Sequence, residues 1–165
     1  MQLFGKSAKL AVSSVLAMLS RPAGELTSAA EIAEEIHDSP TYVAKILQEL
    51  ARQGILGSRR GANGGFYLKK HPVDITMWDL VSPFEGPLDD QHCMIDGGKV
   101  CEEGNVCGMH AYWARISREV IRTLKQTTLL HLWRHSVRNR SSTGPGKDAP
   151  CGSGDENGLH EVSEG

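Results

Sequence analysis

Apolar positions follow a helical period through most of residues 8–137 and switch to a strand-like pattern in only one place. Residues 8–20 read as a first helix, ended by Arg21, Pro22, Ala23 and Gly24. Ser28 followed by Glu31 has the form of a capping box, in which the hydroxyl and the carboxylate satisfy each other's free amides. Ile32, Ala33 and Ile36 then recur at helical spacing before His37 and Asp38 break the pattern. Ser39 and Pro40 form a second start signal, a capping residue ahead of proline at the first helical position. Val43, Ile46, Leu47 and Leu50 place an apolar stripe at i, i+3, i+4 and i+7. Gly54 suits the left-handed position just past the end of that third helix.

Residues 55–60 and 66–70 are strand-like and flank a glycine-rich tip at 61–65, which predicts a β-hairpin. Two short helices joined by a tight turn are the pattern of a helix-turn-helix, and three helices followed by a hairpin make a winged helix. Tyr42, Lys45, Gln48, Glu49 and Arg52 fall largely off the apolar stripe, so the third helix has a polar outer face. The candidate DNA contacts are Ser39, Thr41, Tyr42 and Lys45 on that helix, with Arg59, Arg60, Asn63, Gly64 and Gly65 on the wing. Glycine lets a wing backbone approach a phosphate or the minor groove, and arginine supplies the charge.

Downstream, residues 74–81 read as a short helix capped by Asp74, whereas 82–106 show no convincing periodicity. From Cys107 a long helix resumes. Its seam of Trp113, Ile116, Val120 and Leu124, widened by Ile121, is expected to bury itself against a second copy of the chain. A last helix over about 128–137 should pack back. The expected architecture is mainly α with a small β wing. It divides into a winged helix-turn-helix region (1–72), a short helix and cysteine-bearing loop (73–106), a dimerisation helix and packing helix (107–138), and a disordered tail (139–165).

Composition changes this picture in two respects. The tail has almost no large apolar residue, so it cannot offset its own ordering entropy. It also holds two basic and five acidic residues, which turns a body of about +1 into a chain of net charge −2. Residues 1–72 carry nine Lys and Arg against six Asp and Glu, with the basic excess concentrated at the wing. No stretch approaches the ~18 apolar residues of a membrane span. The first helix lacks a cleavage site, so the expected compartment is the cytoplasm, where thiols stay reduced. No nucleophile–base pair or phosphate loop accompanies the acidic residues, which argues against an enzyme.

The most specific chemistry is the run Cys93, Cys101, Cys107 and His110, spaced C-x7-C-x5-C-x2-H. Soft thiolates with an imidazole form the ligand set of a zinc ion or an iron–sulfur cluster. The same thiols could serve as a metal-free redox switch. Cys151 lies in the tail and is set aside as a spectator.

The wing RRGANGGFYL, the helix SPTYVAKILQELARQGIL and the cysteine triplet together resemble one bacterial family of winged-helix regulators, over residues 1–137. It is the family that includes the iron–sulfur regulator IscR, the nitric-oxide sensor NsrR and the iron regulator RirA. The resemblance implies a homodimer, joined through the 107–125 helix, on a palindromic promoter in double-stranded DNA. It also implies a cluster held by Cys93, Cys101 and Cys107. His110 matches the histidine of the IscR-like pattern, which favours a two-iron 2Fe-2S cluster over 4Fe-4S, whereas the seven-residue first gap looks more like RirA. Ala44 stands where IscR carries a glutamate that tunes DNA specificity, so site preference does not carry over. The function implied is a DNA-binding regulator whose promoter affinity follows iron, redox or nitric-oxide status. The alternatives are a zinc-bound or thiol-based regulator, and a cluster carrier that does not bind DNA.

Overall fold

The computed structural model describes residues 4–61, 64–86, 92, 100 and 108–142, with 138–142 as backbone alone. The elements are α1 (Lys6–Leu19), α2 (Ala29–Glu35), α3 (Pro40–Arg52), β1 (Leu56–Arg59), β2 (Gly65–Leu68), α4 (Met77–Val81), α5 (His110–Gln126) and α6 (Leu129–Ser142). Among the described residues the fold is mainly helical with one two-stranded antiparallel sheet, as the periodicity predicts.

One core unites these elements. Val43, Leu47 and Leu50 of α3 are fully buried and meet Ala11, Val15 and Met18 of α1 and Ile32 and Ala33 of α2. Ile55, Leu56, Ile75, Leu80 and Leu129 close the cluster from the wing, α4 and α6. Each large aliphatic buried this way contributes about 1.5–3 kcal/mol against the ordering entropy.

The turn between α2 and α3 sets the angle at which α3 leaves. The Ser28–Glu31 capping box is present and fixes the start of α2. At its end the amide of His37 bonds the Glu34 carbonyl at 3.3 Å and that of Asp38 bonds the Ala33 carbonyl at 3.0 Å. These two bonds form a Schellman motif, with His37 in the left-handed conformation at φ 56°. The end of α3 repeats the device with Gly54 at φ 72°, which turns Ile55 back into the core.

In the wing, Leu56, Gly57, Ser58 and Arg59 pair with Leu68, Tyr67, Phe66 and Gly65. The backbones of Thr27 and Phe66 exchange two further bonds at 2.9 and 2.8 Å, which lash the hairpin to the entrance of α2. On the far side, Thr76 bridges Thr128 through bonds from Met77 to Thr127 and from Leu129 to Ile75, each 2.8 Å, so the α5–α6 corner docks beside α4.

Three expectations are corrected, and the Ser39–Pro40 start signal stands with a different group holding its amide. Asp74 does not cap α4: it ends a single 3₁₀ turn (Pro72–Asp74), and Thr76 caps α4 in a reciprocal box with Asp79. The box won because a threonine two residues on places its hydroxyl on the Asp79 amide while the carboxylate returns to Thr76. Ser39 occupies the capping position of α3 without a side-chain cap bond, and the Asp38 carboxylate takes the Ser39 amide instead. The long helix starts at His110 rather than at Cys107, after a turn at Gly108 and Met109. Finally, α6 runs to Ser142, four residues into the stretch expected to be a disordered tail, and 143–165 lie outside the described residues.

His37 is the one described non-glycine residue at positive φ. A left-handed side chain costs about 1–2 kcal/mol, and glycine returns about 0.5–1 kcal/mol of that as chain entropy. His37→Gly should therefore stabilise the protein by about 0.5–1 kcal/mol in urea unfolding; a loss of stability would show that the imidazole is a required contact.

Candidate functional site

With its stripe buried, α3 turns Thr41, Lys45, Gln48 and Arg52 outward as exposed residues on successive turns. Arg59 and Arg60 are exposed on the wing, and Lys69 and Lys70 follow β2. Between helix and wing runs an open groove whose cationic lining is Lys45, Arg52, Arg59 and Arg60, with Gln48 and Ser58 as neutral hydrogen-bonding groups. Arg52 is paired with Glu49, which leaves the positive field concentrated toward the wing. Gln48, Arg52 and Ser58 were not among the sequence-level contacts. Continuing the Lys45 face by three and seven residues would have found the first two.

The sequence-level contacts separate by environment. Ser39, Thr41, Lys45, Arg59 and Arg60 are exposed. Tyr42 is half-buried against the core, and its hydroxyl sits 2.6 Å from the Ser7 hydroxyl of α1. The ammonium of Lys6 lies 5.4 Å above its ring. Tyr42 therefore anchors the start of α3 on α1. Gly64 and Gly65 have a reason inside the fold as well. A side chain at Gly64 would strike the Arg59 carbonyl, and one at Gly65 would come within 2.7 Å of the Thr27 carbonyl. Asn63 lies outside the described residues.

Lys6 also ties down the α2–α3 turn. Its ammonium is 2.9 Å from Asp38, whose carboxylate accepts the Ser39 amide at 2.7 Å. The hydrogen bond from Lys6, and then that from Ser39, hold the Asp38 carboxyl below the usual carboxylate range.

Of the presumed metal ligands, Cys93, Cys101 and Cys107 lie outside the described residues. His110 opens α5, half-buried, and its Nδ1 is buried without a hydrogen-bond partner among the described residues. A buried imidazole nitrogen left unsatisfied is costly unless it has a partner, and coordination would supply one. His92 and Val100, the residues that precede Cys93 and Cys101, are antiparallel bridge partners. The donor chemistry and the open nitrogen of His110 thus fit a soft-metal centre. Among the described residues alone no group of three or more His, Cys, Asp or Glu could hold a metal ion.

On α5, Ala114, Ser117 and Leu124 face inward, and Lys125 lies 5.1 Å over the Trp78 ring of α4. The expected seam is therefore divided. Leu124 is buried, Trp113 and Val120 are half-buried, and Ile116 keeps 50% of its surface exposed. Ile116, Val120 and Thr123 line an outward apolar groove together with Phe4. No described helix is long and apolar enough to cross a membrane.

Comparison with known proteins agrees with this geometry. The model of the Rrf2 family, described as an iron-dependent transcriptional regulator, matches residues 4–135. An HTH-type transcriptional regulator of Aquifex aeolicus is 32% identical over 119 residues, covering 71% of this chain and 82% of that one. The HTH-type transcriptional regulator IscR of Salmonella paratyphi B is 30% identical over 126 residues, 76% of each. Among solved structures, the global cysteine regulator CymR of B. subtilis superposes with a TM-score of 0.65 at 27% identity, over 82% of this chain and 98% of that one. The T. potens IscR structure gives 0.69 at 19% identity, over 87% and 94%, a likeness of fold.

Because the folded-state pKa of Asp38 is depressed, its contribution to stability is present above the unfolded value of about 3.9 and is lost as pH falls through the folded value. Asp38→Asn keeps an acceptor for the Ser39 amide and removes the charge. Thermal melts from pH 7 to pH 2 should show a shallower acid limb in this variant; an unchanged limb would mean that the Lys6 contact adds nothing.

Proposed function

The chain belongs to the Rrf2 family of transcriptional regulators, and from that premise we propose that it is a promoter-binding homodimer whose DNA affinity is set by an iron–sulfur cluster. The observation that carries the reading is the basic groove between α3 and the wing, lined by Lys45, Arg52, Arg59 and Arg60. In the dimer, the two α3 helices enter successive major grooves of a palindromic duplex, about one helical turn apart. Thr41, Lys45 and Gln48 face base edges, and Ser39 lies near a phosphate at the N-terminal end of the helix. Arg59 and Arg60, with Asn63 at the hairpin tip, reach the flanking minor groove. Tyr42 acts through position, by fixing the start of α3 on α1. The outward groove of α5 around Ile116 and Val120 supplies the dimer contact.

Cys93, Cys101, Cys107 and His110 would hold the cluster, with 2Fe-2S favoured because an imidazole completes the thiolate set. Bound there, it supplies a charged, solvent-near centre whose integrity depends on iron, oxidants and nitric oxide. The family's description as iron-dependent supports iron over zinc. The cysteines fall in the sequence between α4 and α5 and His110 opens α5, so a change in their ligation would act between the DNA-reading half and the dimer helix. Coupling of about 1–3 kcal/mol between the two would change DNA affinity roughly 5- to 150-fold.

Arg60→Ala should weaken binding to a promoter duplex and lower the slope of log affinity against log salt by about one, without loss of thermal stability. Unchanged affinity would remove the wing from the interface. Anaerobically purified protein should be brown with about two irons per chain, and Cys101→Ala should be colourless. One zinc in a colourless wild-type protein would replace the cluster with a structural or thiol-based site.

A further inference from the structure

The first four described residues touch three separate parts of the molecule. The Gly5 amide, at the N-cap of α1, donates to the Glu85 carboxylate at 2.7 Å. Glu85 stands just past α4, one residue before Gly86 and the stretch that carries the three cysteines. Phe4 lines the outward groove of α5 beside Ile116 and Val120. Lys6 and Ser7 hold the beginning of α3, through Asp38 at 2.9 Å and through the Tyr42 hydroxyl at 2.6 Å. Asp38 in turn holds the Ser39 amide. Thus one short peptide joins the exit toward the cysteines, the α5 surface and the N-terminus of the helix that faces DNA.

We propose that residues 4–7 are the coupling joint between the sensing stretch and the recognition helix, with Glu85 as the latch and Ser7 as the pin. This rests on the reading that the cysteine-bearing stretch senses a metal centre.

The geometry suits transmission rather than simple anchoring. Ala8, three residues past the N-cap, has no carboxylate to return to the Gly5 amide, so the external carboxylate of Glu85 takes it. A hydrogen bond to a charged group is among the stronger polar contacts, and moving Glu85 hands that exposed amide back to water. The Lys9 amide bonds the Gly5 carbonyl at 3.2 Å, which ties Gly5 into the first turn of α1. A shift at Gly5 therefore moves Lys6 and Ser7 with it. Of their partners, Asp38 sits just before the N-cap of α3 and Tyr42 in its first turn, rather than along its length. The displacement is consequently delivered as a tilt of the end that presents Ser39 and Thr41. Glu85 and Ser7 are positioning residues, since neither lines the DNA groove.

The test uses the full chain, reconstituted anaerobically with iron and sulfide or stripped with a chelator. The probe is a duplex selected by the wild-type protein from a random DNA pool. In wild type the affinities of the two forms should differ roughly 5- to 150-fold. Glu85→Ala should keep the wild-type iron content yet bring the two affinities within about threefold of one another. Ser7→Ala should do the same. Glu85→Gln, which retains an acceptor for the Gly5 amide, should preserve most of the difference. In the metal-free protein, amide exchange at Ser39 and Val43 should be faster in Glu85→Ala than in wild type, a readout independent of loading.

If Glu85→Ala and Ser7→Ala retain the wild-type ratio, or if exchange at the start of α3 is unchanged, the joint is overturned while the sensing function stands. Equal affinities of the two wild-type forms would overturn the sensing reading itself, and the joint with it.

Discussion

The structure depends on α3 having to satisfy two solvents at once. Val43, Leu47 and Leu50 are fully removed from water, and Lys45, Gln48 and Arg52 cannot be. Since residues three and four apart share a helix face, burying the first set dictates where the second points. The core therefore aims the exposed polar face of α3 as well as stabilising the helix. The two Schellman turns, at His37 and Gly54, then fix where α3 begins and where the wing leaves it. Once α3 is seated, the wing has little freedom: Ile55 and Leu56 enter the core, and Phe66 is tied to Thr27.

Much of this was legible in the sequence because it rests on local rules. The α3 stripe, the Ser28–Glu31 box and the Gly54 stop each declare themselves within a few residues, and each stands in the structure. The errors arose where two nearby residues offered competing local solutions. Asp74 and Thr76 can both cap a helix, and the outcome turned on Asp79 completing the box with threonine. Asp38 and Ser39 competed likewise, and Lys6, 32 positions away in the chain, favours Asp38 as the residue that holds the amide. Such a contact has no signature in a local window.

The candidate site shows the same division. Basic residues on α3 and the wing were readable because polarity on a helix face is periodic. That Tyr42 turns inward to Ser7 was not, since an aromatic phenol suits either a wet interface or a half-buried anchor. Nor was the role of Gly64 and Gly65, whose small size is demanded by the Arg59 and Thr27 carbonyls. A glycine-rich wing tip invites a ligand explanation, yet close backbone approach within the protein already accounts for both residues. Their presence therefore counts less toward DNA contact than that of Arg59 and Arg60, which are exposed.

Charge gives the sharpest case for reasoning from placement rather than totals. The chain as a whole is at −2, a value that taken alone argues against a polyanionic partner. At physiological ionic strength, however, exposed charges separated by more than about 8 Å are largely screened from each other. A phosphate in the groove between α3 and the wing responds to Lys45, Arg52, Arg59 and Arg60, not to acidic residues remote from it. Even within the groove, Glu49 offsets Arg52, so the effective field falls mainly on the wing arginines and Lys45. Arg60 is exposed and, among the described residues, no ion pair is built on it, so its charge acts outward. An affinity for DNA that depends on it can vary without the stability of the fold varying too.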